Sequence, residues 1–120
     1  MNTTTHYVLP LYTVRNRRGD AVDWINGTAF VSASQSSADD CATAHRRYDA
    51  DKAFTGNITG EWGVVEHKEP FRVSIHGRRV HAIRELNDRK AQGIKCEIRV
   101  TAALIELWAI PQVKAIGSSI

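Results

Sequence analysis

An α+β fold built on a mostly antiparallel sheet is what this sequence predicts, and three features of it do the predicting. Short runs rich in Val, Ile, Tyr and Thr alternate apolar with polar residues. Glycine- and asparagine-containing turn signals separate several of these runs. Another stretch, from Ala38 to Tyr48, switches to the three-and-four spacing of helices. The expectation is four to six mostly antiparallel strands with one or two helices packed on one face. At 120 residues the chain has the length of one domain. That domain is expected to span 1–111, with 112–120 as a flexible tail.

Taken in order, Tyr7 to Arg15 reads as a strand, with Pro10 favouring an edge position. Asn16 to Asp20 is a turn signal, and Ala21 to Ile25 is a second apolar run. Asn26-Gly27 is a hairpin signal leading into a strand over Thr28 to Ala33. A helix follows from Ala38 to about Tyr48, with Ser36 or Ser37 as its cap and Asp39 and Asp40 in its first turn. Ala38, Cys41, Ala42, His45 and Tyr48 form its buried stripe, and Arg46 and Arg47 fall in its last turn. Asp49 to Gly60 reads as a loop.

Glu61 to His67 and Phe71 to His76 are the next strands. In the latter, alternation puts Arg72, Ser74 and His76 together on a solvent face. Val80 to Gln92 favours a helix closed by Gly93, although Val80 to Leu86 also suits a strand. Ile94 to Val100 alternates cleanly as a strand. Ala102 to Ile110 is apolar enough for a buried strand or a short helix ending before Pro111. Trp24, Trp62 and Trp108 are spread widely enough to anchor a core from three segments.

Charge is distributed unevenly. The net charge is +3, and the first sixty residues carry as many acidic as basic side chains. The excess lies in 71–99, where eight cations face only Glu85, Asp88 and Glu97. A surplus of this sign argues against mimicry of nucleic acid, which requires a strongly acidic surface. Two cysteines, Cys41 and Cys96, and a first stretch without a basic leader point to a reducing compartment, so a cytoplasmic location with both thiols reduced is expected. The N-x-T triplets at Asn2, Asn26 and Asn57 then read as chance. No run is long and apolar enough to suggest a membrane span.

Three constellations bear on chemistry. Arg72, His76, Arg78, Arg79, Arg84, Lys95 and Arg99 are the candidate binding residues, a basic surface suited to phosphates or to an acidic protein. Glu66, Glu69, Glu85 and Glu97 oppose that surface in the alternative of a plain solvated face. His67, His76 and His81 lie close together among arginines, and His76 with His81 would supply the acid and base of metal-independent phosphodiester cleavage. Cys41 and His45, four apart on one helix face, suit two zinc ligands but also complete an apolar stripe. No phosphate-binding loop, nucleophile elbow, zinc-protease or C-x-x-C motif is present in the sequence.

The sequence therefore favours a small non-catalytic binding domain that meets a protein or nucleic acid through its basic surface, with no cofactor. Accessory and inhibitor proteins of phages and plasmids act in this manner, and that is the role expected. The alternatives are a small histidine-dependent nuclease or phosphotransfer enzyme, and a structural homo-oligomeric subunit.

Overall fold

The computed structural model describes residues 4–15, 30–52 and 62–117. These residues form an α+β fold of eight strands and two helices, with three antiparallel sheets. The strands are shorter and more numerous than the sequence suggests. Proline is what divides them. Pro10 separates β1 (Thr4–Leu9) from β2 (Leu11–Arg15), Pro70 separates β4 (Gly63–His67) from β5 (Phe71–His76), and Pro111 separates β7 (Leu104–Ala109) from β8 (Gln112–Gly117). In each pair the two strands belong to different sheets, so all three prolines of the chain mark a change of sheet. The residue has no N–H to donate to a ladder, so it interrupts strand pairing.

The chain divides into two compact units, one over Leu11–Glu66 and one formed by Met1–Pro10 with His67–Ile120. In the first unit, β3 (Val31–Ser32) and β4 flank β2, and α1 (Gln35–Lys52) packs on β2 and β3. Ala38 and Ala42 are fully buried, so their small side chains let the helix approach the sheet closely. With Val14 and Trp62 they form a core cluster, bordered by Tyr12, Phe30, Cys41 and Val64.

This helix corrects the sequence reading at both ends. It starts at Gln35, capped by Ser34, whose hydroxyl accepts a 3.3 Å hydrogen bond from the Ser37 amide. No acidic residue lies in its first turn, because Asp39 and Asp40 fall one turn further on. It runs to Lys52, through residues expected as loop, so Arg46 and Arg47 are not in its last turn. Tyr48 is half exposed and leaves the buried stripe. The turn at 16–20, the strand at 21–25, the Asn26-Gly27 hairpin and Trp24 lie outside the described residues; of the strand expected over 28–33, Val31–Ser32 is described.

In the second unit, β5, α2 (Arg79–Ala91) and β6 (Cys96–Thr101) form a crossover. Both strands run antiparallel to β7, which lies between them, so they are parallel to each other. The helix ends as its sequence predicts. Gly93 adopts φ +80°, its amide bonds to the Lys90 carbonyl, and the Ile94 amide bonds to the Arg89 carbonyl. That pair of bonds is a Schellman cap, sealed by buried Ile94. The strand form of 102–110 prevails over the helical one. Ala102 and Ala103 turn the β6–β7 hairpin, and Ala102 sits at φ +54°. Residues 112–117, expected as tail, instead form β8, which pairs with β1 from Leu9↔Gln112 to Thr4↔Gly117.

Candidate functional site

Cross-strand partners share a sheet face, so the register of β5-β7-β6 decides where its side chains go. Arg72 lies opposite Trp108, which lies opposite Glu97; Ile75 lies opposite Glu106, which lies opposite Arg99. Those residues make up one face. Phe71, Ser74 and His76 pair with Ala109, Leu107 and Ile105 on the other, where α2 packs and where Leu107 and Ala109 are fully buried.

The expected grouping of Arg72, Ser74 and His76 on one solvent face is therefore not formed. A β-bulge between Arg72 and Ser74 adds one residue to β5, and everything beyond it changes sides. Arg72 stays on the open face, while Ser74 and His76 turn beneath the helix.

On the open face the cations are held by carboxylates. Arg72 donates to Glu106 at 2.8 Å, and Arg99 donates to Glu97 at 2.6 Å. The Arg99 guanidinium also lies 4.3 Å from the Trp108 ring centre. Hydrogen bonds from Arg72 first, and then from Thr101, hold the Glu106 carboxyl below the usual carboxylate range. Two arginines meet two glutamates, and these pairs leave no net charge.

Beneath α2 lies a polar chain. His76 Nε2 is 2.8 Å from Ser74 Oγ and 2.9 Å from Glu85 Oε2, and Arg89 donates to Glu85 Oε1 at 3.2 Å. Burial pushes the neighbouring Cys96 thiol up to about 11, partly offset by Arg89 and reinforced by Glu85. Serine, histidine and a carboxylate in contact suggest a nucleophile relay, but the geometry is different. A relay places the hydroxyl on one ring nitrogen and the carboxylate on the other. Here both converge on Nε2. Glu85 calls for a proton on that nitrogen, so the ring has no lone pair there with which to activate Ser74. The chain ties α2 to β5. His81 is exposed on α2, away from this bonding.

The remaining candidates are of another kind. Arg78, Arg79 and Arg84 are all exposed, and none of their side chains has a hydrogen bond or ion pair among the described residues. Arg78 is the residue at the N-terminal cap of α2 and makes no side-chain capping bond, and no acidic residue occupies the first turn. Cations there oppose the positive end of the helix dipole. Lys95 is likewise exposed, but it precedes β6 at the far end of the helix, near Lys90 in the last turn. The seven expected residues thus separate into a neutralised pair, a half-buried histidine bridge, a distal lysine and one uncompensated trio.

The same end of the unit carries exposed apolar groups that the sequence reading passed over. Ile75, Val80, Ile83, Val100 and Leu104 are each 41–63% exposed. Glu106, which neutralises Arg72, was also missed there; a lone carboxylate inside the apolar run 102–110 was the available signal.

In the first unit, His45 is buried and stacks on Trp62 with ring centres 4.2 Å apart, and the Arg46 guanidinium donates twice to the Trp62 carbonyl. Among the described residues no cluster of three or more His, Cys, Asp or Glu is placed to hold a metal ion. No helix among them is long and apolar enough to cross a membrane. No family model, curated protein or solved structure matches the chain.

Proposed function

We propose that this chain is a small non-catalytic binding domain that docks on an acidic protein surface through the N-terminal end of α2. One observation carries the reading: Arg78, Arg79 and Arg84 stand exposed and uncompensated at a helix end that a stability-driven sequence would cap with Ser or Asp. A local rule broken without a local gain marks a place shaped by something other than folding. Arginine exposed beside aliphatic groups is also the composition of protein interfaces. The expected role as an accessory or inhibitor protein belongs to this reading, because such a protein acts by occupying a surface.

The test is a pull-down with the tagged full chain from a lysate of the source cell, run with and without nuclease and at two salt concentrations. The triple variant Arg78→Glu, Arg79→Glu, Arg84→Glu is run in parallel. The expected result is one stoichiometric protein that survives nuclease, weakens with salt and is absent from the variant's eluate. Nuclease-sensitive nucleic acid with steep salt dependence would replace the protein partner with a phosphate backbone. Equal retention by the variant would move the interface elsewhere.

A further inference from the structure

We infer that the partner presents a short acidic segment with interspersed apolar side chains, which seats across the end of the second unit where α2 begins and the β6–β7 hairpin turns. The inference rests on the binding reading above and adds the chemistry of what is bound. β5 and β6 are parallel and finish at the same end, at His76 and Thr101, and β7 starts there at Leu104. α2 starts three residues after β5 ends. Topology therefore puts Val100, on the face that α2 covers, at the same end as Val80 and Ile83 from the first two turns of the helix, while Ile75 and Leu104 lie at that end on the opposite, open face.

Five of the eight large apolar residues exposed among the described residues lie at this end, and three of them, Val80, Ile83 and Val100, are on the helix side. Helical spacing explains part of this exposure. Glu85 faces β5 through His76, and buried Ala82 and Arg89 point at the sheet. Val80 and Ile83, three apart, thus share the side of α2 turned away from the sheet. The helix crosses from the end of β5 toward the start of β6. The far end of β6 is left uncovered, and Val100 is 63% exposed there.

Charge selects the occupant. Arg78 and Arg79 flank the apolar residues at the helix start, Arg84 lies one turn on, and the α2 dipole adds to their field. The sheet cations add nothing, because Glu97 and Glu106 neutralise them. A polyphosphate backbone would satisfy the arginines but leave three aliphatic side chains, Val80, Ile83 and Val100, in water. An acidic segment carrying Leu, Ile or Phe satisfies both.

The experiment is selection of a random 12-residue peptide display library on the immobilised full chain. The enriched peptides are then measured by fluorescence anisotropy against wild type, Val80→Ser/Val100→Ser, and the arginine triple variant. Both valines are more than half exposed, so circular dichroism should show an intact fold in their variant. Enriched peptides should combine Asp or Glu with Leu, Ile or Phe. They should bind the valine variant about tenfold or more weakly and the arginine variant more weakly still. Acidic peptides without apolar bias, or equal affinity for the valine variant, would overturn this inference and leave the binding reading standing. Enrichment without acidic bias, or equal affinity for the arginine variant, would overturn both. A library that yields nothing above background would overturn the inference. So would displacement of the peptides by equimolar 12-nucleotide DNA, which would point to nucleic acid.

Discussion

The arginines of the β5-β7-β6 sheet and those of α2 come from one stretch of sequence and meet opposite conditions. Arg72 and Arg99 lie on a strand surface beside Glu106 and Glu97, each within 2.8 Å of a carboxylate oxygen. The side chains of Arg78, Arg79 and Arg84 are held by nothing among the described residues and crowd the wrong end of a helix dipole. A surplus of positive charge counted along a chain is therefore not yet a positive surface. Strand register decides which cations are neutralised, and helix placement decides which are left to act.

The largest effect should come from beneath the helix. Glu85 bonds both His76 and Arg89, whose side chain is only 6% exposed. Glu85→Ala leaves a buried guanidinium short of a carboxylate and should cost about 2–3 kcal/mol in urea denaturation. A cost as small as that of a surface pair would show that the chain beneath α2 holds nothing together. Arg78→Asp should run the other way. It supplies a cap and reverses an unfavourable dipole interaction, raising stability by about 1 kcal/mol while weakening partner capture. Loss of stability together with loss of binding would mean that Arg78 serves folding.

Cys96 sharpens the contrast between the two faces through pH. Burial raises its folded value from 9.0 to about 11, so the folded state favours the thiol. The stability this confers is complete below pH 9 and is lost as pH rises toward 11, a slope that Cys96→Ala should remove from pH-dependent denaturation. For Glu106 the sign reverses. Its folded value is lowered, so its contribution is present at neutral pH and fades in acid as the carboxylate is protonated. Ala102 has a smaller part. At φ +54° in the hairpin turn, Ala102→Gly should add about 0.5–1 kcal/mol, read as a higher midpoint in thermal denaturation. Smallest of all is Glu97→Ala, expected to cost under about 1 kcal/mol because its pair with Arg99 is roughly half exposed. Partner capture should be unchanged.

Much of the fold is legible in the sequence where local chemistry governs. Phe71–His76 is a strand over its expected span, and Arg79–Ala91 closes at Gly93 as its composition indicates. The alternation of Cys96, Ile98 and Val100 against Glu97 and Arg99 matches the two faces of β6. What was not legible depends on distant partners. Residues 112–117 have no strong pattern of their own and become a strand because β1 offers an unpaired edge. The bulge in β5 exists only relative to β7, and it is what carries His76 away from Arg72. At the site, the sequence identified Arg78, Arg79 and Arg84 as candidates but could not separate them from cations that register would neutralise.

The most direct measurement is backbone amide mapping of the ¹⁵N-labelled chain against the protein it retains. Shifts concentrated between Arg78 and Arg84 and around the Ala102–Ala103 turn, with Arg72, Glu97 and β8 undisturbed, are the predicted result. A footprint centred on the face of Arg72, Trp108 and Arg99, or on the β1–β8 sheet, would contradict the account.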